Sequence, residues 1–289
     1  MLLSIRRSNT EDVHRFRRSQ RLRVLRGKPG LYLGIVLVGL FVLLGLVGPL
    51  FLSNPNAMSM YILSPPGVHG LLLGSDQYGR NEFTRIIWGI QTSLGIIVAS
   101  IGISAFAGTV LGLLAARVHL FDEIVMRIMD VLMAFPAILL AIGIMAVAGT
   151  GVRSVIEAIA IVYLPIFTRV SRSAALEQMT KQYVESSEVV GSSMMRVLFR
   201  NVLPNSLSPI VVQISLALSD ALLIEAALSY LGLGVAPPTA SLGDMLRTGQ
   251  SLMFTAPWTA IYPGVAIMWA VLGFNLLGDA IRDALAIRR

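Results

Sequence analysis

The sequence contains no cysteine, and only 13% of its 289 residues are charged. Without cysteine, the chain can form neither disulfide bonds nor a thiol-based catalytic or metal site. Hydrophobic residues make up 55% of the sequence, which is too large a share for an ordinary soluble domain. The composition therefore indicates a membrane protein that crosses the bilayer several times.

Histidine is equally scarce. The three histidines, His14, His69 and His119, lie in different segments, so the sequence offers no metal cluster and no His-centred catalytic triad. The glycine-rich phosphate-binding sequence that ends in Lys-Ser or Lys-Thr is also missing. An enzymatic function has little support. We expect no cofactor on this chain.

Basic residues are concentrated at the N-terminus. Residues 1–30 contain nine Lys or Arg and two acidic residues, which account for the whole net charge of +7. A nucleic-acid interface would need basic residues gathered on a folded face with aromatic residues among them, whereas this segment simply precedes an apolar stretch. We therefore expect a cytoplasmic segment attracted to anionic membrane lipid, and no nucleic-acid partner.

Six apolar stretches are long enough to cross about 30 Å of hydrocarbon as helices. They cover residues 31–52, 93–116, 126–148, 154–170, 206–231 and 259–281. With the N-terminus inside, the cytoplasmic segments and the adjoining helix ends hold 19 of the 23 Lys and Arg. The positive-inside rule therefore places both termini in the cytoplasm and predicts an all-α integral membrane protein.

These spans divide the chain into five parts. They are a basic cytoplasmic segment 1–30, a first transmembrane helix 31–52, an external segment 53–92, a core 93–285 with five transmembrane helices and a cytoplasmic loop 171–205, and a cytoplasmic tail 286–289. In the external segment, Asp76 and Gly79 predict a turn that leads into an interfacial helix. In the third span, Phe135-Pro136 predicts a kink.

Two acidic residues, Asp220 and Glu225, fall inside the fifth span. A carboxylate at membrane depth is costly unless it is paired or faces water, so both are candidate residues of a transport path. Five positions apart, they lie about 140° from each other around a helix. The alternative for each is an interhelical hydrogen bond.

The loop 171–205 has the pattern of a short amphipathic pair of helices. Apolar residues, among them Val184, Val189 and Val190, recur at helical spacing. Gly191 can end a first helix and Ser192 or the serine after it can cap a second. Pro204 closes the unit. Small side chains leave the backbone approachable by a partner's groove, although an amphipathic helix lying on the membrane surface is the alternative.

This loop resembles the cytoplasmic coupling loop of importer-type ABC transporter permeases. That pattern has a glutamate, two alanines, a glycine and an Ile-x-Leu-Pro ending. The matching residues are Glu185, Gly191, Leu203 and Pro204. The departures are Ser186 and Ser187, which replace the alanines, and Asn201, which stands in place of isoleucine.

Two further groups of motifs resemble the second permease subunit of dipeptide and oligopeptide importers. One lies in residues 74–85, before the second span, and the other runs from Glu225 through the external loop to the Phe-Asn-Leu-Leu-Gly-Asp ending at 274–279. The departures from that family's pattern are Asn81, Gln91, Leu242, Ala280 and Ile281. The resemblance covers residues 31–285 and implies six transmembrane helices in the type I ABC importer permease fold.

The resemblance also implies partners and roles. The chain would pair with a homologous permease in a heterodimer, with two ATPase subunits that bind ATP and with an extracytoplasmic substrate-binding protein, in the cell inner membrane. Glu185 would cap or dock, Gly191 would permit a sharp turn, and Pro204 would fix the return into the fifth span.

Peptides are the leading substrate class, but similar permeases move nickel chelates, glutathione, sugars and opines. A proton-coupled carrier that uses Asp220 and Glu225 as relay groups is the alternative function. A membrane scaffold without transport is a third class, which an absence of substrate-stimulated ATP hydrolysis would distinguish.

Overall fold

The computed structural model describes residues 29–286. The predicted lipid-binding segment 1–30 and the tail 286–289 therefore lie almost wholly outside the described residues. Between residues 29 and 286 the chain forms helices and no strand, with one isolated β-bridge between Ser75 and Asn81. The helices are α1 Pro29–Phe51, α2 Glu82–Arg117, α3 His119–Met133, α4 Ala137–Ala148, α5 Val152–Met179, α6 Gln182–Val189, α7 Met194–Arg196, α8 Leu203–Tyr230, α9 Leu242–Ser251 and α10 Trp258–Ala286.

Five helical segments are long and apolar enough to cross a membrane. They are α1, α2, α5, the continuous run from α7 to α8, and α10. The pair α3 and α4 passes the same test when its two halves are taken together, which makes up to six spans. The predicted all-α membrane fold is confirmed.

The predicted kink in the third span is a complete break. α3 ends at Met133, α4 begins at Ala137, and the chain bends by 95° between them. Pro136 explains the break, because it has no N–H to donate and its ring disfavours helical backbone angles at Phe135. α3 is nevertheless held on α5 by two ion pairs, Arg172–Asp122 and Arg169–Asp130.

The interfacial helix and the second span, predicted as separate elements, form one helix of 36 residues. Asn81 begins α2 by accepting a hydrogen bond from the backbone N–H of Thr84 at 3.3 Å. No proline interrupts residues 82–117, and isolated glycines only weaken a helix that packs along its length. The two predicted elements are therefore continuous.

The predicted turn before α2 is confirmed. The Asp76 carboxylate accepts hydrogen bonds from the backbone N–H groups of Tyr78 at 2.8 Å and Arg80 at 2.9 Å, and Gly79 has φ +70°. The indole N–H of Trp258 donates to the Ser75 carbonyl at 3.1 Å. This bond ties the external segment to the start of α10.

The core includes the contact between α2 and α5 and also takes in residues of α1, α4, α8, α9 and α10. Gly108 and Gly112 lie on the contact face of α2, and a Cβ atom added at Gly112 would lie 2.4 Å from the Thr168 carbonyl oxygen. A side chain at either glycine would therefore separate the two helix backbones.

Gly112→Ala is expected to destabilise the protein, because the new methyl group must push α2 away from α5. Overpacking of this kind costs about 1–3 kcal/mol, which thermal unfolding of the purified protein in detergent can measure. Gly102→Ala is the matched control on α2, since no described atom lies within 4 Å of its added methyl group. Equal melting temperatures for the two variants would contradict the close contact.

Candidate functional site

The loop between α5 and α8 folds as two short helices joined by a sharp turn. α6 ends at Val189, Gly191 has φ +84°, and α7 begins at Met194. The predicted end of a first helix at Gly191 is confirmed. Ser193 occupies the N-cap position of α7, and its side chain makes no capping hydrogen bond.

Pro204, which is predicted to close the loop and to fix the return into the fifth span, stands at the start of α8. It lies in the first turn of α8, within a helical run from Met194 to Tyr230. The preceding turn, Val197–Val202, is π-helical, and the N–H of Leu203 donates to the Leu198 carbonyl five residues back. Because Pro204 has no N–H for an α-helical bond, a widened turn before it lets the helix continue.

Val184 anchors α6 to the rest of the molecule. Its side chain is 2% exposed and packs in a small apolar cluster, separate from the main core. The other buried members come from α2, α5 and the π-helical turn; they are Leu113, Ala175, Val197 and Val202. A shift of α6 must therefore displace or open contacts with three other segments.

A side-chain hydrogen bond joins the two arms of the loop. The Asn201 amide donates to the Ser187 hydroxyl at 2.9 Å. Both residues depart from the coupling-loop pattern described above, which has isoleucine and alanine at these positions. The two departures contact each other, so each gives the other a polar partner. Ser186 donates instead to the Gln182 carbonyl of its own helix, at 2.8 Å.

The far end of α6 is uncovered. Val189 and Val190 are 83% and 85% exposed, and no described atom lies within 4 Å of a Cβ atom placed at Gly191. Glu185 is also exposed. Helical spacing alone does not distinguish these two valines from the buried Val184. Their position immediately before a glycine turn is the sequence signal that marks them as a tip.

Glu225 lies inside the subunit. Its side chain is 0% exposed and accepts hydrogen bonds from Ser93 at 2.9 Å, Ser229 at 3.1 Å and Ser241 at 3.3 Å. Ser93 lies in α2, Ser229 lies in α8, and Ser241 directly precedes α9. These contacts match the alternative predicted for Glu225, which is an interhelical hydrogen bond.

Asp220 has different surroundings. It is exposed and lines a cavity with Tyr163 of α5 and residues of the α3–α4 break. Among the described residues, no hydrogen bond connects Asp220 with Glu225, whose three partners are serines. The two carboxylates therefore lie in different surroundings and share no direct hydrogen bond.

Relatives of this chain are similar over most of its length. The dipeptide transport system permease protein DppC of Alkalihalophilus pseudofirmus is 38% identical over 256 residues, which cover 87% of this chain and 84% of the relative. The glutathione transport system permease protein GsiD of Pectobacterium atrosepticum is 44% identical over 214 residues, covering 74% and 71%.

The fold is similar to that of a chain of the MetNI methionine ABC transporter in an inward-facing conformation. The TM-score is 0.53 at 19% identity, and the match covers 70% of this chain and 96% of that chain. The predicted type I ABC importer permease fold is thereby confirmed. Residues 108–289 match the family model of the binding-protein-dependent transport system inner membrane component. The chain therefore belongs to this family, the permease subunits of ABC importers.

Proposed function

We propose that this chain forms half of the translocation path of an ATP-driven importer for di- or oligopeptides and couples to separate ATPase subunits through the helix around Gly191. The coupling role is supported by the construction of α6. Val184, near the start of α6, is buried in the apolar cluster, whereas Val189 and Val190 at the tip of the helix are exposed. A rigid helix with an uncovered apolar end fits a groove on a partner.

The peptide class is supported by the relatives, one of which is a dipeptide permease and the other a glutathione permease. Nickel chelates, glutathione, sugars and opines are the competing substrates. The complete assembly contains a homologous permease, two ATPase subunits that bind ATP, and an extracytoplasmic binding protein. It lies in the cell inner membrane with the N- and C-termini of this chain in the cytoplasm.

Each group of residues in the coupling loop has a different role. Closure of the ATPases on ATP pulls on α6, and the Val184 cluster passes that movement to α2, α5 and α8. Gly191 permits the turn at the docked tip. The remaining residues that we assign to coupling border the docking surface or connect it to α8; they are Glu185, Ser186, Ser187, Ser192, Leu203 and Pro204.

Gentle purification from the native membrane tests this assignment. We expect a second permease and an ATPase pair to co-elute, and we expect peptide and the binding protein to stimulate ATP hydrolysis by the purified complex. Isolation of the chain alone, with uptake that disappears when the proton gradient is collapsed in the presence of ATP, would contradict the proposal and favour the carrier that uses Asp220 and Glu225.

Val190→Asp is expected to weaken binding of the ATPase subunits by about tenfold or more. A docked valine contributes roughly 1.5 kcal/mol or more of apolar burial, and the replacing carboxylate must lose its water. ATPase retained by the immobilised permease measures the effect.

Val118→Asp is the matched control, because Val118 is 40% exposed in the turn between α2 and α3. Aspartate suits that position, which is the N-cap of α3 and has no side-chain capping bond. Equal ATPase retention by the two variants would contradict docking at the tip.

A further inference from the structure

A cavity of about 260 Å³ opens beside the break between α3 and α4. Its walls come from the end of α3, the break, the start of α4, the middle of α5 and one position of α8. Most of the lining side chains are apolar or aromatic; they are Leu132, Met133, Phe135, Leu140, Val162 and Ile166. The two polar side chains in the lining are Tyr163 and Asp220.

Asp220 is the charged residue of this lining, and no lysine or arginine is found among the described residues that form it. Within the same described part of the chain, its carboxylate makes no ion pair or hydrogen bond. Three other acids of these helices have partners. Glu225 has three serines, and Asp122 and Asp130 are paired with arginines of α5.

An unpaired carboxylate at membrane depth is unfavourable unless water or a cation reaches it. The exposure of Asp220 to the cavity provides that access. A single negative charge among apolar walls attracts a cation more strongly than it would in bulk water, because the surroundings screen it less. The cavity is thus suited to a solute that carries a positive charge on an apolar body.

We propose that Asp220 binds the primary ammonium group of the solute during its passage, with Phe135 and Tyr163 beside the adjoining carbon atoms. The identification of that group as the α-ammonium of a peptide rests on the proposed function. The volume is slightly below the range of roughly 300–1,000 Å³ typical of small-ligand pockets. A cavity of this size accommodates the charged end of a peptide. The rest of the peptide then lies outside the cavity, against the facing side of the translocation path.

The absence of cysteine from the sequence gives a direct test. In the complex reconstituted in vesicles, Met133→Cys places one thiol in the cavity, and its labelling rate is measured with cationic trimethylammonium and anionic sulfonate thiosulfonate reagents of similar size. We expect a preference for the cationic reagent that falls by about tenfold in the Met133→Cys, Asp220→Asn protein. Asp220→Glu is expected to keep the preference.

Met253→Cys is the matched control, since Met253 is 42% exposed and lies after α9, outside the cavity lining. Its labelling is expected to be unaffected by Asp220→Asn, which also shows that the variant remains folded. In a second measurement, a dipeptide with a free amino group is expected to slow labelling of Met133→Cys, whereas the N-acetylated dipeptide is not.

A cationic preference that survives Asp220→Asn, or protection that does not depend on the free amino group, overturns the proposal. Failure of the proposed function would give a different result from failure of the ammonium site. A complex that takes up no peptide but keeps the Asp220-dependent preference would contradict peptide transport while retaining an ammonium site.

Discussion

Gly191→Asp is expected to reduce coupled uptake severely while the protein remains folded in the membrane. The backbone at Gly191 has φ +84°, which strains any L residue but which aspartate adopts more readily than most, and beyond the two neighbouring residues no described atom lies within 4 Å of the added Cβ. The carboxylate of the new aspartate would lie at the tip of α6, where docking removes its hydrating water and supplies no hydrogen-bond donor in exchange. We expect an uptake loss of about 100-fold, equivalent to ~2.7 kcal/mol of docking free energy.

The measurement is peptide uptake by reconstituted vesicles, with ATP hydrolysis followed in parallel. Gly232→Asp is the matched control, because Gly232 has φ +79° and likewise has no described atom within 4 Å of an added Cβ. Gly232 follows α8, on the external side in the predicted orientation. Normal uptake by Gly191→Asp, or an equal loss in Gly232→Asp, would contradict a specific coupling role for Gly191.

Glu225→Leu is expected to lower the stability of the fold severely. Three buried hydroxyls, those of Ser93, Ser229 and Ser241, lose their shared acceptor. Each unsatisfied buried polar group costs about 1–3 kcal/mol, so a total loss of about 3 kcal/mol or more follows unless backbone carbonyls replace the carboxylate. Thermal unfolding in detergent, followed by size-exclusion chromatography, measures this loss.

Glu225→Gln separates a structural role from a role in transport. The amide oxygen can still accept from two of the serines, the amide NH2 can donate to the hydroxyl of the third, and the side chain keeps its shape, so we expect a smaller stability loss and near-normal uptake. A stable Gln variant that fails to transport would instead favour the pathway role predicted from the sequence.

The membrane helices could be predicted closely from the sequence. The predicted spans 31–52 and 259–281 correspond to α1, Pro29–Phe51, and α10, Trp258–Ala286. Length and apolarity determine these elements, because backbone groups in hydrocarbon must be satisfied within the helix itself. No knowledge of neighbouring elements is required.

The effects of proline were harder to predict, because they depend on the local surroundings. Pro136 separates two helices by a bend of 95°, whereas Pro204 is absorbed by a π-helical turn. The sequence predicts a kink at Pro136, and at Pro204 the end of the loop and the return into the fifth span. A proline forbids one hydrogen bond, but packing decides whether the chain bends or widens its turn.

The candidate site shows the same division between local and long-range information. Gly191 could be predicted, because a positive φ after a helix is a local requirement of the chain. The serine partners of Glu225 could not be predicted, because Ser93 is 132 positions from Glu225 in the sequence. The contact between Ser187 and Asn201 also depends on the fold of the whole loop.

The uninterrupted length of α2 determines how the external segment is attached. Its 36 residues extend for about 54 Å, whereas the hydrocarbon layer is about 30 Å thick, so part of the helix must project beyond it or tilt strongly. Near the N-terminal end of α2, Arg85 is 3% exposed and donates to the Asn56 side chain at 3.1 Å. Because the external segment buries this end of α2, the segment is attached firmly to the helix. It therefore tilts with the second span whenever that span tilts in the bilayer.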